Sequence, residues 1–315
     1  MKIGKMKLVI TESEDFSEKA ILELKKYFEV EVLNLFSEEE LLEKIKDADA
    51  IFIRLRFKLS KEILSKATSL QYILTATTGL DHIDVDYFEQ KGGQVISLKG
   101  ETDFLGTIPS TAEHTWGLLL ALMRNTTKAF DDVKNGFWRR DLFKGNNLIG
   151  KKIGILGMGR VGKQVVHYAE AFGMEIGFYD TQSVESKYSC FQNAEDLFTW
   201  ADVVSIHIPL NKENIRFINK ELLNKLNANA ILINTSRGAI IDEIYVAELL
   251  KQNKIKGYAT DVLEDELSIC IDKNKLVALS KQDYNVIVTP HIAGATFESM
   301  AMTENFIVEK FLDRL

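Results

Sequence analysis

The sequence predicts two α/β domains, each built on a parallel sheet with helices on both faces. Three observations predict this class. Short apolar runs alternate with helical patterns from the start of the chain, a glycine-rich turn joins a strand to a helix at mid-chain, and the last helix has no strand after it. Alternation of this kind indicates parallel strands joined by crossover helices. The 315 residues, 46% of them apolar, are enough for two separate cores.

The first third of the chain supplies one complete α/β unit. Apolar runs predict strands at 7–10, 30–33, 50–53, 72–76 and 95–97, and helical patterns between them predict helices at 17–28, 61–67 and 84–90. A further helix starts at Ser37, because Ser37 and Glu40 have the spacing of a capping box and Phe36 and Leu41 that of a hydrophobic staple.

The middle of the chain carries a dinucleotide signature. A buried strand at 153–156 runs into a turn with Gly157, Gly159 and Gly162, a helix follows, and a second strand at 176–179 ends at Asp180. The first glycine permits the tight turn, the second lets the backbone approach a pyrophosphate, and the third allows close packing of helix and strand. Asp180 lies near the ~20-residue spacing of an acid that accepts from a ribose hydroxyl. Its charge disfavours a 2′-phosphate, so the sequence predicts NAD rather than NADP.

Strands near 203–208, 230–234, 257–262 and 286–288 complete a Rossmann sheet, and a final helix covers 296–312. The predicted fold is therefore a Rossmann NAD-binding domain, residues 104–290, inserted into a discontinuous flavodoxin-like substrate domain, residues 1–103 and 291–315. A helix at 111–124 is apolar all round, which indicates either core or a subunit interface around Trp116. The neighbouring Phe137 and Trp138 are expected to pack rather than to do chemistry.

Composition narrows the function. A formal charge of −7 without a basic cluster argues against a nucleic-acid partner. Cys190 and Cys270 fit no metal spacing and indicate a reducing compartment, and no apolar run is long enough for a membrane span or signal peptide. A cytoplasmic protein with no metal site is predicted.

Residues just after the strands are the first candidates for chemistry, because ligands of open α/β sheets bind outside the carboxyl ends of strands. Arg237, Glu266 and His291 follow three strands of the second predicted sheet. Taken singly, each has a plain structural explanation, such as a surface ion pair, a solvated acid or a packed imidazole. His82, His114 and His167 are left with that explanation. Together, an Arg, a carboxylate and a His beside a nicotinamide are what a hydroxy-acid dehydrogenase requires.

With these residues the chain resembles the D-isomer-specific 2-hydroxyacid dehydrogenase family. The shared motifs are TTGLDHID (77–84), TAEHT (111–115), the GMGRVG turn, HIPL (207–210), NTSRG (234–238), DVLEDE (261–266) and TPHIAG (289–294). The resemblance implies that Arg237, Glu266 and His291 are catalytic, that Thr78-Gly79 and Arg237 bind the substrate carboxylate, and that the protein is a homodimer built through the helix of Trp116. It implies cofactor contacts at Thr78, Gly157, Gly159, Arg160, Val161, Gly162, Asp180, Ile208, Pro209, Thr235, Asp261 and Gly294.

Within the family, the IRLRFK segment is most similar to phosphoglycerate dehydrogenases, which implies a substrate-binding role for Arg54 or Arg56. Leu55 and Phe57 depart from the small or hydroxyl residues usual there, and Leu267 stands where Pro is common. The chain ends before the regulatory domain of longer members, so serine feedback is not expected.

The implied reaction is hydride transfer between NAD and a D-2-hydroxy or 2-oxo acid, with 3-phosphoglycerate among the acids suggested. In it His291 exchanges the hydroxyl proton and Glu266 favours the imidazolium form. Closure of the two domains is expected to exclude water. Two alternatives on the same scaffold remain open, an NAD-binding regulator like the transcriptional corepressors of this fold and a phosphite-type dehydrogenase. The absence of an N-terminal extension speaks against a formate dehydrogenase.

Overall fold

The chain folds into two compact units. The computed structural model describes residues 5–267 and 270–315. One unit is formed by Met1–Thr107 together with Ala295–Leu315, and the other by Ile108–Gly294. The divisions fall at 107/108 and 294/295, against the predicted 103/104 and 290/291. The first unit is discontinuous because the second is inserted into it.

The first unit contains one five-stranded parallel sheet in the order β2-β1-β3-β4-β5, which is the flavodoxin-like order. Its strands are β1 (Lys7–Ile10), β2 (Glu29–Val32), β3 (Ala50–Ile53), β4 (Tyr72–Thr75) and β5 (Gln94–Ile96). Its helices are α1 (Glu18–Tyr27), α2 (Glu38–Ile45), α3 (Lys61–Lys66), α4 (Val85–Gln90), α5 (Thr102–Gly106) and α13 (Phe297–Leu312). The final helix packs on this sheet and on the end of α1, with the ring of Phe311 5.1 Å from that of Tyr72 in β4 and stacked 5.3 Å from that of Phe28.

The start of α2 follows the predicted cap. Ser37 accepts a hydrogen bond from the Glu40 amide at 3.2 Å, and the Glu40 carboxylate accepts one from the Ser37 amide at 3.1 Å, which confirms the capping box. Phe36 is exposed, and the Arg56 guanidinium lies 4.4 Å from the centre of its ring. That cation–π contact occupies the ring predicted to staple onto Leu41.

The second unit contains a seven-stranded parallel sheet in the order β12-β11-β10-β9-β6-β7-β8. Its strands are β6 (Lys152–Leu156), β7 (Glu175–Tyr179), β8 (Ser189–Cys190), β9 (Val203–Ile206), β10 (Ile231–Asn234), β11 (Gly257–Thr260) and β12 (Val286–Val288). Its α-helices are α6 (Ser110–Arg124), α7 (Thr126–Lys134), α8 (Arg160–Ala171), α9 (Ala194–Trp200), α10 (Lys220–Leu223), α11 (Glu243–Lys251) and α12 (Lys275–Ser280). The chain order reverses between β6 and β9, so the topological switch point of this Rossmann sheet lies there.

The apolar helix α6 belongs to the core of the second unit. Trp116 is 5% exposed, its ring stacks on Phe172 at 4.7 Å, and its Nε1–H donates to the carbonyl of Val165 at 3.2 Å. The aromatic pair that follows, which is predicted to pack rather than to do chemistry, is exposed in this chain: Phe137 is 51% and Trp138 86% exposed.

The predicted fold class, two doubly wound parallel-sheet domains, is confirmed. The two-residue edge strand β8 and helix α7 were not predicted, since neither has a buried apolar stripe long enough to stand out in the sequence. A helix both long and apolar enough to cross a bilayer is absent from the part of the chain that the structure describes.

Candidate active site

A glycine turn follows β6 at the switch point of the larger sheet. Gly157 has φ +96°, and a Cβ on it would lie 2.9 Å from the carbonyl carbon of His207. A Cβ on Gly162 would collide with the carbonyl oxygen of Gly157, whereas a Cβ on Gly159 would meet no described atom within 4 Å. The turn is therefore closely packed at its two ends and open in its middle, where the N-terminus of α8 is accessible to a pyrophosphate. The residues present fit a dinucleotide.

Asp180 ends β7 beside this turn. Its Oδ2 accepts a hydrogen bond from the Met158 amide at 2.7 Å, and its Oδ1 accepts one from the Gln182 amide at 2.8 Å. These bonds fix the carboxylate next to the glycine turn. Each carboxylate oxygen retains a further lone pair with which it can accept from a ribose hydroxyl.

The other predicted cofactor residues of this unit lie on neighbouring loops. Ile208 and Pro209 follow β9, and the Ser236 hydroxyl donates to the Ile208 carbonyl at 2.5 Å. Thr235 follows β10 and is buried, with its hydroxyl 2.8 Å from that of Thr115. Further members of the set stand at the start of α8 and before Ala295, namely Arg160, Val161 and Gly294.

A histidine that the sequence analysis did not single out also stands at the switch point. His207 follows β9, and its Nε2 lies 2.8 Å from the Ser205 hydroxyl. Burial, reinforced by the positive charge of Arg160, lowers the pKa of His207 to about 3. The imidazole is therefore neutral at physiological pH and adds no charge beside the glycine turn. Its position directly after a buried strand was the available sequence signal.

His291 and Glu266 are brought together by the structure. The Nδ1 atom of His291 is hydrogen-bonded to Oε1 of Glu266, and Oε2 of Glu266 accepts from the Leu263 amide at 3.3 Å. His291 has φ +56°, in the left-handed region, and its amide donates to the Asp261 carbonyl at 2.8 Å. The bond at Nδ1 leaves Nε2 as the ring nitrogen through which a proton could be exchanged with a ligand.

The loop of Arg237 touches the loop that leads to Glu266. A Cβ on Gly238 would collide with the carbonyl carbon of Leu263 and with the amide nitrogen of Glu264. The Nη1 atom of Arg237 donates to the Ser236 carbonyl at 2.9 Å. Because β10, β11 and β12 are neighbours in the sheet, the loops of the three predicted catalytic residues share one edge.

Asp261 braces the segment that carries the histidine. Its Oδ1 accepts from the Thr289 hydroxyl at 2.6 Å and the Ile292 amide at 2.9 Å, and its Oδ2 accepts from the Ala293 amide at 2.7 Å. His114 adds a bond from Nε2 to the Thr289 hydroxyl at 3.0 Å. Burial alone would raise the pKa of Asp261, but these donors outweigh it and lower the pKa. His114, assigned a plain structural role from sequence, is thus part of this network.

The predicted substrate residues Arg54, Thr78 and Gly79 belong to the first unit. Arg54 donates from Nε at 3.0 Å and from Nη2 at 2.5 Å to Oε1 of the buried Glu304, and from Nη1 to the Glu14 carbonyl at 2.8 Å. Thr78 is exposed and Gly79 partly so. The Arg54 guanidinium is therefore already ion-paired within its own unit.

Arg56, the alternative to Arg54, is also engaged. Its Nη1 donates to Oδ1 of Asn34 at 2.7 Å and to the Leu35 carbonyl at 2.6 Å. Both arginines are fixed at the carboxyl edge of the smaller sheet by side chains and carbonyls of the first unit.

Comparison with known proteins decides the family. Residues 116–293 match the model of the D-isomer specific 2-hydroxyacid dehydrogenase, NAD binding domain. The chain belongs to the D-isomer specific 2-hydroxyacid dehydrogenase family. The resemblance seen in the sequence is confirmed, and so is the nicotinamide cofactor predicted from the glycine turn.

The names of the relatives indicate different activities from one relative to the next. The chain is 37% identical to D-3-phosphoglycerate dehydrogenase of Methanocaldococcus jannaschii over 97% of its own length and 56% of that protein. It is 33% identical to hydroxypyruvate reductase of Thermotoga maritima over 88% of each. It superposes on D-lactate dehydrogenase from Aquifex aeolicus, complexed with NAD and lactic acid, with a TM-score of 0.81 at 27% identity, covering 98% of this chain and 95% of the other. The chain therefore spans about half the length of the phosphoglycerate dehydrogenase and most of the reductase.

Proposed function

We propose that the protein is an NAD-dependent oxidoreductase that interconverts a D-2-hydroxy acid and its 2-oxo acid. One observation carries the proposal. The hydrogen-bonded pair of His291 and Glu266 lies at the same edge of the same sheet as the open glycine turn around Gly159. A proton-exchanging group and a dinucleotide cradle on one edge are what reversible oxidation of an alcohol requires.

The nicotinamide, when bound, supplies or accepts the hydride. In the direction of reduction, His291 donates a proton from Nε2 to the carbonyl oxygen of the 2-oxo acid, and in oxidation it takes the proton back from the hydroxyl. Glu266 holds the ring through Nδ1 and so leaves Nε2 to face the substrate. Arg237 holds the substrate carboxylate with its planar fork, which Lys cannot reproduce.

NAD is proposed in preference to NADP because of Asp180. The carboxylate is fixed beside the glycine turn by two backbone amides, so it cannot swing away without losing both hydrogen bonds. A 2′-phosphate near this charge would be repelled, whereas a ribose hydroxyl could donate to it.

The substrate side chain is best decided by assay. The wild-type protein should oxidise NADH faster than NADPH with at least one acid among glyoxylate, pyruvate, hydroxypyruvate, 3-phosphohydroxypyruvate and bulkier 2-oxo acids. The phosphorylated acid tests the roles predicted for Arg54 and Arg56, whose guanidinium groups already donate to partners in their own unit.

His291→Ala tests the assignment of the proton donor. Turnover should fall on the order of 100- to 10,000-fold with NADH affinity, measured by fluorescence, little changed. His167→Ala is the matched control, since it removes an exposed imidazole from α8 of the same unit. Wild-type NADH binding without turnover of any acid would favour the regulator instead, and full activity of His291→Ala would exclude the proposed role.

We also propose a homodimer. The segment from α7 onward exposes a set of large apolar side chains, Phe130, Val133, Phe137, Trp138 and Leu142. Patches of this kind on one chain commonly mark a protein interface. Light scattering should give the mass of a dimer, and Trp138→Asp should shift it toward the monomer. A monomeric wild type would contradict the proposal.

The cytoplasm is the proposed location, in line with the two free cysteines, Cys190 and Cys270.

A further inference from the structure

A buried carboxyl group lies behind the loop that carries Glu266. Glu243 is the first residue of α11, directly after the N-cap Asp242, and a glutamate in the first turn of a helix usually faces water. Glu243 is instead 8% exposed, and its Oε1 accepts a hydrogen bond from the Glu264 amide at 3.0 Å. Its carboxyl group therefore points at the loop and holds a backbone amide two residues before Glu266.

The loop held in this way has a defined shape. Asp265 has φ +54°, so the chain turns through the left-handed region immediately before Glu266. Within the turn, the Leu263 amide donates to Oε2 of Glu266 at 3.3 Å. On its other side the backbone of Leu263 and Glu264 packs directly against Gly238, which follows Arg237. The amide that Glu243 holds thus stands between the loop of Arg237 and the carboxylate of Glu266.

The charges around Glu243 agree with this placement. Burial raises the pKa of Glu243 to about 7; the bond from the Glu264 amide and the charge of Arg216 oppose the rise, and the charges of Glu264 and Glu266 add to it. Arg216 lies 3.2 Å from the Glu264 carboxylate on the outer side of the loop. Tyr258 of β11 also lies near Glu243. Burial raises the pKa of the Tyr258 phenol, and the charge of Glu243 adds to this rise.

We propose that Glu243 is a positioning residue, which fixes the 263–266 turn through the Glu264 amide and so holds the Glu266 carboxylate against His291. This inference rests on the proposed function, in which the pair of Glu266 and His291 exchanges the substrate proton. Without the acceptor at residue 243, the partly buried Glu264 amide would lose its partner inside the protein and the turn would have to move to give it another. Small displacements of a group that orients a catalytic side chain reduce turnover strongly.

Three variants of Glu243 and one control separate positioning from charge and from folding. Glu243→Gln keeps an acceptor oxygen, Glu243→Ala removes it, and Glu243→Asp shortens the side chain so that the amide is out of reach. Glu195→Ala is the control, because Glu195 is an exposed glutamate in the first turn of α9 in the same unit. For each protein, kcat and the KM of the 2-oxo acid are measured at saturating NADH, and NADH affinity is measured by titration. The nitrogen chemical shifts of the His291 imidazole are recorded at saturating NADH and assigned by comparison with the spectrum of His291→Gln.

Glu243→Ala and Glu243→Asp are expected to lower kcat on the order of 10- to 100-fold and to shift the His291 Nδ1 signal in the direction given by Glu266→Gln. KM and NADH affinity should change little, Glu243→Gln should restore most of kcat, and the control should match the wild type. If the alanine variant does not fold, the aspartate variant carries the test.

The inference is overturned if Glu243→Ala or Glu243→Asp keeps the wild-type kcat and imidazole spectrum, or if Glu243→Gln loses as much as Glu243→Ala. It is also overturned if NADH affinity falls in parallel with kcat. Wild-type protein without turnover would remove the proposed function, and the imidazole spectrum would still decide whether Glu243 places Glu266.

Discussion

In both units of this chain, a loop at the carboxyl edge of the parallel sheet is held by a buried carboxyl group that accepts backbone amides. The side chains that these loops carry differ in what they bind. In the second unit, Asp261 and Glu243 are buried carboxyl groups. Asp261 accepts backbone amides just after His291, and Glu243 accepts the Glu264 amide just before Glu266. In the first unit, Glu12 is a buried carboxyl group that accepts the amides of Arg54 and Arg56 at 2.9 and 3.2 Å. Each unit thus fixes a loop that carries predicted site residues by a carboxyl group from elsewhere in the same unit.

The difference lies in what the anchored side chains do next. In the first unit, the guanidinium of Arg54 forms an ion pair with the buried Glu304. In the second unit, the side chains of His291 and Glu266 pair with each other and stay partly exposed. The contacts at the arginine edge favour a rigid loop, whereas the pairing at the histidine edge supports the proton exchange that we propose for His291.

The largest effect is expected where an ion pair is broken in the first unit. Glu304→Ala leaves the Arg54 guanidinium without its carboxylate in a nearly buried setting, so the free energy of unfolding of that unit should fall by about 3–5 kcal/mol. Glu309 lies on the same helix as Glu304 and forms an exposed ion pair with Lys19 of α1. Glu309→Ala should therefore cost less than about 1 kcal/mol.

Hydrogen exchange of first-unit peptides in urea is the suitable measurement, because all three tryptophans, Trp116, Trp138 and Trp200, lie in the second unit. Equal losses in the two variants would show that the buried pair does not anchor the arginine edge.

The second prediction contrasts an arginine of each edge. Arg237→Lys should lower kcat/KM roughly 100-fold, since the bidentate fork that aligns the carboxylate is lost. Arg54→Lys should lower the free energy of unfolding more than it lowers kcat/KM, because the Arg54 guanidinium donates two hydrogen bonds to Glu304. Steady-state kinetics and urea unfolding of both variants check this. A larger catalytic loss in Arg54→Lys would break the distinction and support the substrate role predicted for that residue from sequence.

The sequence predicts the strands and the glycine turn well because these are set locally. A run such as Ala50–Ile53 is buried on both faces, and a Cβ on Gly162 would meet the Gly157 carbonyl only a few residues back along the chain. The side-chain networks could not be predicted in the same way. Glu243 meets an amide 21 residues further on, and His114 a hydroxyl 175 residues further on.

Arg54 shows what a local sequence pattern leaves out. Its partner Glu304 lies 250 residues away on the final helix, so the local pattern IRLRFK shows a charge but not the carboxylate that neutralises it. The pairing of Glu266 with His291 spans 25 residues and was proposed from the reaction rather than from any pattern. Long-range partners are thus the part of the site that only coordinates supply.

The third prediction concerns two glycines of the same turn. Gly162→Ala should lower the free energy of unfolding of the second unit by about 1–3 kcal/mol, because the added methyl group meets the Gly157 carbonyl. Gly159→Ala should leave stability within about 0.5 kcal/mol, since no described atom is near, but should weaken NADH binding where the methyl group faces the pyrophosphate. Tryptophan fluorescence follows unfolding and NADH fluorescence follows binding. The reverse pattern would place the dinucleotide elsewhere.

The smallest effect is a difference in sign between the two edges. Burial raises the pKa of Glu12 above 4.5, and this effect outweighs the two hydrogen bonds that Glu12 accepts from backbone amides. The folded protein therefore binds the Glu12 proton more tightly than the unfolded chain does. Its contribution to stability is full below pH 4.5 and is lost as pH rises through the folded pKa. Asp261 behaves oppositely. Its pKa is lowered from 3.8, so its contribution is present above pH 3.8 and is lost as pH falls through the folded pKa.

Glu12→Gln and Asp261→Asn remove one titration from each edge while keeping an oxygen that accepts backbone amides. Relative to the wild type, the glutamine variant should therefore gain stability as pH rises through the acidic range, and the asparagine variant should gain it as pH falls. Unfolding curves in urea at several acidic pH values, read by exchange for the first unit and by tryptophan fluorescence for the second, give both slopes. Slopes of the same sign would contradict this contrast. The four donors around Asp261 and the two around Glu12 would then not shift the pKa values of the two carboxyl groups in opposite directions. The two groups would differ only in the loops that they hold.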